Sequence, residues 1–265
     1  MSSLPSVFAS PIPAHIGVIM DGNGRWAQGK KLLRTQGHLE GLQSAKRIVK
    51  AAADMGVRYL TLYAFSTENW KRTADEVGFI MGLVKRYLKG ELGFYRENRI
   101  RIRHAGDPAG LPPDIARELR EAAEETRSFE GLQVILALNY GGRDEIIRAM
   151  RRLVRAGIHE EAITEEALGH CLDNPDIPDP DLIIRSAGEY RISNFLLWEG
   201  AYSEYYVSDK LWPDWTEEDF VAAVTTYQRR ERRFGGVTHD KTHGSASDVP
   251  HRSTCGDKYH TIPAP

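Results

Sequence analysis

Cysteine is nearly absent from this 265-residue chain: Cys171 and Cys255 are far apart and outside any CxxC spacing. That argues against a disulfide framework or a cysteine-built zinc site, and it fits a reducing compartment. No apolar stretch approaches the length of a membrane span. The opening MSSLPSVFASPIPAH lacks the basic segment and long apolar run of a signal peptide. The chain therefore reads as soluble and cytoplasmic. Net charge is missing too, since 35 Lys plus Arg face 37 Asp plus Glu. This balance excludes a polybasic protein held to nucleic acid by overall charge, and equally an acidic disordered chain. Neither GxGxxG nor GK[ST] occurs, so there is no dinucleotide fingerprint and no P-loop. No internal repeat is visible.

What is present is an alternation of short apolar runs with longer amphipathic stretches. Strands are expected at 15–20, 58–65, 100–106, 132–140, 181–185 and 204–208. Helices are expected at 38–55, 76–97, 113–127, 143–156, 164–172 and 216–231, the last started by Thr216 with Glu218 and Asp219 in its first turn. Repeated strand–helix–strand order predicts an α/β fold: one domain with a mostly parallel sheet of about six strands, flanked by helices on both faces. Residues 1–13 read as a flexible segment and 14–236 as the working domain. Residues 237–265, polar and without apolar periodicity, read as a disordered tail.

In parallel sheets ligands collect beyond the carboxyl ends of the strands, so the residues there carry the functional reading. After the first strand comes Asp21-Gly22-Asn23-Gly24-Arg25-Trp26. Two glycines beside a carboxylate allow close backbone approach to an anion and a Mg²⁺ ligand, although a plain glycine-rich turn would look the same. After the second strand comes Ser66-Thr67-Glu68-Asn69-Trp70-Lys71-Arg72, a mixture of hydroxyls, an amide and cations. Ser66 or Thr67 alone would serve equally as a helix cap. After the fifth strand comes Arg185-Ser186-Ala187-Gly188-Glu189-Tyr190-Arg191-Ile192-Ser193-Asn194, with Glu204 shortly beyond. Arg34 and His38 add further cations. Three such edges converge on a phosphorylated substrate with Mg²⁺. Asp176, Asp179 and Asp181 also cluster, but the interleaved Pro175, Pro178 and Pro180 prevent the helix that a DDxxD-type site needs.

Taken together, HIGVIMDGNGRWA, the GH at 37–38, YAFSTENWKR, NYGGRDEI, RSAGEYRISNFLLWEGAYSEYYV, LWPDW and RERRFGG resemble the cis-prenyltransferases, most closely the bacterial undecaprenyl diphosphate synthases. The motifs run in order from about residue 14 to 236. The resemblance implies condensation of isopentenyl diphosphate with an allylic diphosphate such as farnesyl diphosphate. It also implies a long polyprenyl diphosphate product that serves as lipid carrier for cell-wall glycans; a shorter product is the alternative. It implies a cis-prenyltransferase fold rather than an all-α one, and a homodimer joined through AYSEYYV and LWPDW. Contact with the inner face of the membrane would come through the lipid product.

Residue by residue, the resemblance makes Asp21 the central acid holding Mg²⁺ against the allylic diphosphate. Gly22, Asn23, Gly24, Arg25 and Trp26 would form the cradle, with Arg34 and His38 helping. Ser66, Thr67, Glu68, Trp70 and Arg72 match the second motif, in which Asn69 assists proton removal. Arg185, Arg191, Ile192 and Ser193 would hold isopentenyl diphosphate, and Glu204 would be a second metal carboxylate. Arg233 would reach the partner's site. The growing chain would lie in an apolar tunnel lined from the helices at 76–97 and 113–127. Ala187 and Tyr190 depart from the family's usual residues, so a metal-contact role is not carried over to Tyr190. Two rivals are weaker. A haloacid-dehalogenase-like phosphatase needs a second Asp where Asn23 stands. A non-catalytic prenyltransferase subunit would lack the motif residues, which are present here.

Overall fold

The six apolar runs are the six strands of the structure, a computed structural model describing residues 11–230. They are β1 (His15–Ile19), β2 (Tyr59–Ser66), β3 (Arg101–Ala105), β4 (Gln133–Tyr140), β5 (Leu182–Arg185) and β6 (Glu204–Val207). They form one sheet in the order β3-β4-β2-β1-β5-β6. Every pairing is parallel, with Ile19 level with both Tyr63 and Arg185. All five residues of β1 and all four of β5 are buried. Strands covered on both faces need apolar side chains on both, which is why they read as unbroken runs.

Among the described residues eight α-helices accompany the sheet: α1 (Asn23–Gly29), α2 (Arg34–Asp54), α3 (Ala74–Gly90), α4 (Leu92–Glu97), α5 (Pro113–Glu125), α6 (Gly142–Arg155), α7 (Glu165–Gly169) and α8 (Glu217–Gln228). On one face Ile16, Val18, Leu60, Leu62, Leu136 and Ile184 pack against α2, α3, α5 and α8, the larger core. On the other, Ile19, Tyr59, Ile135 and Ile183 meet Phe195 and Leu196 from the loop after β5. Gly17 makes room for that loop, since a Cβ there would lie 3.0 Å from the Phe195 ring. Among the described residues no helix is long and apolar enough to cross a membrane.

The structure corrects the expected helices in two places. The stretch 76–97 is two helices, because the chain turns at Glu91 (φ −104°, ψ 8°) just after Gly90. And α1 stands where no helix is expected: it has seven residues, two of them glycine, and no side-chain cap. Tertiary contact sustains it instead. Gly37 and Gly41 of α2 lie against Asn23, and a Cβ on Gly37 would sit 2.1 Å from the Asn23 carbonyl oxygen. Thr216 does start α8, in a capping box with Asp219. Residues 1–10 and 231–265 lie outside the described residues, and with them most of the expected N-terminal segment, Arg233 and the expected tail.

Candidate active site

The chain leaves β1 to one side of the sheet, toward β2, and returns to β5 on the other, which places a crevice between the ends of β1 and β5. Asp21 and Arg185 meet across it. Arg185 Nη2 donates to Asp21 Oδ2 at 2.9 Å, and the Gly22 amide donates to Asp21 Oδ1 at 2.7 Å. The Ser186 hydroxyl accepts from the Asp21 amide at 2.9 Å and donates to the Asp21 carbonyl at 2.8 Å, fixing the two strand ends to each other. Arg185 is buried; its Nη1 donates to Ser193 Oγ at 2.8 Å and to the Arg191 carbonyl, and its Nε has no partner.

Gly22 has φ +100°, a conformation that strains any other residue, and a Cβ there would meet Leu211 at 2.8 Å. Asn23, Gly24 and Arg25 form the first turn of α1, where backbone N–H groups lack intrahelical partners. Arg25 reaches across to Glu189 Oε1 at 3.4 Å and approaches Asp21 at 3.9 Å, so it spans the first and third edges. Trp26 is a buried anchor whose Nε1 donates to Asp214 at 2.7 Å. Arg191 is exposed and pairs with Glu189, while Ile192 is half-buried and Tyr190 stands in solvent.

The second edge is a short turn after β2. The Ser66 amide donates to Asn69 Oδ1 at 3.0 Å, leaving the Asn69 Nδ2 without a partner among the described residues. Trp70 Nε1 donates to Asn139 at 2.7 Å. Thr67 packs at Gly141, and Glu68 accepts from Asn194 Nδ2 at 2.9 Å. Burial raises the Glu68 carboxyl, but the hydrogen bonds from Asn194 and from its own turn prevail and hold it below the usual range. Arg34, His38 and Arg72 converge on a residue the sequence reading missed, Glu76, at 3.6, 3.2 and 2.8 Å. Burial opposes ionisation of Glu76, and these three partners overcome it. Burial lowers the His38 pKa, which Glu76 only partly offsets. The signal was available: Thr73 caps α3 and Glu76 sits three residues on, the spacing of an acid in a first helical turn.

Behind these edges lies an open cavity of about 110 Å³. Its mouth carries Asn23 and His38; its walls include Leu42, Leu62, Ile80, Leu83, Tyr87 and Leu138. The walls thus come from α2, α3, β2 and β4. The expected contribution from 113–127 is not found, because Ile115 and Leu119 of α5 are spent in the core.

Glu204 is not brought to Asp21. It begins β6, level with Leu182, whereas Asp21 lies beyond the far end of β1, and Glu204 is paired with Arg230. Among the described residues no three His, Cys, Asp or Glu side chains gather as a metal cage. Asp21 offers a carboxylate between the ends of β1 and β5, and such a donor suits Mg²⁺ when phosphate oxygens supply the remaining ligands. Asp176 is committed to Arg103, at 2.6 Å through both oxygens, and Asp181 accepts from the Ala14 and His15 amides.

Comparison with known proteins adds names to this geometry. A family model described as "Putative undecaprenyl diphosphate synthase" matches residues 19–235. An isoprenyl transferase of Treponema denticola is 51% identical over 223 residues, covering 84% of this chain and 97% of the relative. One from Thermotoga maritima is 46% identical, covering 85% and 98%. Among solved structures, lavandulyl diphosphate synthase from Lavandula x intermedia, in complex with dimethylallyl diphosphate, matches with TM-score 0.82 and 33% identity over 85% of this chain and 99% of that one. A probable undecaprenyl diphosphate synthase from Campylobacter jejuni matches with TM-score 0.72 and 35% identity over 84% and 99%.

Proposed function

Because the chain belongs to the undecaprenyl diphosphate synthase family of prenyltransferases, we propose that it condenses isopentenyl diphosphate with an allylic diphosphate, farnesyl diphosphate above all, into a long polyprenyl diphosphate. One observation carries the reading: the crevice that holds Arg185 and Arg25 lies beside an apolar cavity, and Asn23, at the start of α1, lines that cavity. A diphosphate head fits the first and a hydrocarbon tail the second.

In this reading the Asn23–Arg25 amides and Arg25 bind the allylic diphosphate, whose C–O bond breaks as its charge develops. Arg34, His38 and Arg72, now gathered on Glu76, lie where they would exchange that carboxylate for phosphate oxygens. Arg191 and Ser193 hold isopentenyl diphosphate, its double bond attacks the allylic carbon, and a proton leaves the new chain. Asn69 lacks useful basicity; its free Nδ2 orients the oxygen that takes this proton. Asp21 would hold Mg²⁺ against the diphosphate, and the metal would supply charge neutralisation of the leaving group. Arg185 keeps the Asp21 carboxylate aimed into the crevice, so the cations act where charge appears.

The homodimer belongs to the same reading. Tyr202 and Tyr205 are exposed at the β6 edge and suit a subunit contact, and Glu204 would lie at that contact. Trp212 and Trp215 do not contribute, being buried in the core of one chain. Membrane contact would follow from the product. A shorter product is the second reading, favoured by the likeness to lavandulyl diphosphate synthase. Incubation with farnesyl diphosphate, labelled isopentenyl diphosphate and Mg²⁺ yields, on the primary reading, a ladder ending in a long cis-polyprenyl diphosphate. Products of one or two additions establish the second reading, and no condensation overturns both.

A further inference from the structure

Asn194 occupies a left-handed backbone conformation, φ 65°, between Ser193 at φ 49° and Leu196 at φ 44°. Three such residues within four positions are a local strain that the surroundings must hold in place. The bonds holding it are specific. The Asn194 carbonyl accepts from the Gly142 amide at 2.7 Å, and its Oδ1 accepts from the Arg143 amide at 2.9 Å. Both donors belong to the first turn of α6, so Asn194 serves as a cap supplied from a distant loop. Its Nδ2 donates to Glu68 Oε1 at 2.9 Å, in the turn that also carries Ser66 and Asn69. The fit leaves no slack: a Cβ on Gly141 would lie 2.7 Å from Asn194 Nδ2 and 2.7 Å from Thr67 Oγ1. The next residue is fixed as well, Ser193 accepting from Arg185 Nη1 through its hydroxyl and from Tyr63 through its carbonyl.

We propose that Asn194 is a positioning residue, a clasp that sets the loop carrying Arg191 and Ser193 in register with the Ser66–Arg72 turn by tying both to the start of α6. From the loop after β5, its side chain reaches the segments that follow β2 and β4, donating once to Glu68 and accepting once from the Arg143 amide. The clasp makes the isopentenyl side of the site depend on the turn that holds Asn69. This rests on the functional reading above.

Asn194→Gly is the discriminating variant. Glycine adopts the left-handed conformation without strain and keeps the Gly142 contact, so only the side-chain ties are lost. The KM for isopentenyl diphosphate should rise about tenfold or more, with the allylic KM within about twofold of wild type. In the free protein, amide exchange over residues 66–72 should quicken. Asn194→Asp keeps the Arg143 contact but sets an acceptor against Glu68. Combining it with Glu68→Gln restores a donor–acceptor pair, and should recover the isopentenyl KM relative to Asn194→Asp alone. A merely structural role would give equal losses for both substrates and no such rescue. Unchanged exchange at 66–72, or an unchanged isopentenyl KM, overturns the clasp. Absence of condensation by the wild type overturns the functional reading instead, and exchange in the free protein still decides the clasp.

Discussion

At the scale of residues, Asp21 and Arg185 show how position and partner together make a site. Asp21 could be picked from sequence because it follows a buried apolar strand and precedes Gly22 and Gly24, where a carboxylate has no packing role. Its partner on β5 is a buried guanidinium, and the pair holds a carboxylate oxygen toward the crevice. Asp21→Asn preserves shape and removes the charge. Condensation should fall by about two to three orders of magnitude, while far-UV circular dichroism and melting temperature stay close to wild type. Turnover within a factor of a few of wild type would remove Asp21 from the mechanism. Asn194 was illegible because it acts through partners on other elements; for Glu76 the sequence offered only an acid in a first helical turn, not the convergence of Arg34, His38 and Arg72 on it. Glu204 shows the converse, a residue singled out by motif whose place on β6 leaves it beside Arg230 rather than Asp21.

At the scale of elements, the strands were legible because burial on both faces enforces continuous apolar sequence, and their ends fell within a residue or two of expectation. Helix α1 was not, because its stability comes from the close approach of α2 rather than from its own residues. That approach depends on missing side chains. Gly37→Ala would force a Cβ against the Asn23 carbonyl, a backbone atom at 2.1 Å that cannot swing aside. The start of α1 must then shift, and with it the Asn23–Arg25 amides. Condensation should drop about tenfold to a hundredfold, since small misplacements of binding groups are costly, and the melting temperature should fall. Gly78 on α3 provides the control. Nothing lies within 4 Å of its virtual Cβ, so Gly78→Ala should stabilise by about 0.5–1 kcal/mol with activity retained. If thermal melts and rates respond alike to both substitutions, the close approach of α2 does not matter as argued.

At the scale of the whole molecule, the sheet separates two kinds of interior. One face is apolar and opens into the cavity behind the crevice. The other buries ionisable groups: His15, Glu145 and Glu199 line a small cavity with Thr61 and Asn174. Strand order, and hence this division, could not be read from sequence, because a parallel strand's apolar run does not say which neighbour it pairs with. The buried groups give the fold a pH signature. Burial, reinforced by the charge of Glu145, pushes the Glu199 carboxyl up to about 8 from an ordinary 4.5. Burial pulls His15 down to about 4 from 6.5, against the pull of the Pro178 carbonyl and Asp181. Between about pH 4 and 6.5 the unfolded chain binds a proton that folded His15 refuses, so this group makes stability rise with pH. Between 4.5 and about 8 folded Glu199 keeps a proton that the unfolded chain has released, so stability falls with pH. The two oppose each other up to 6.5, and above it only the Glu199 decline remains. The melting temperature should therefore be nearly flat between about pH 4.5 and 6 and decline from there toward pH 8. Glu199→Gln should abolish that decline, melting about 3–6 °C above wild type at pH 8 and close to it at pH 5. Calorimetry across pH 5–8 checks this, and a wild-type decline that persists unchanged in Glu199→Gln would assign it to other groups.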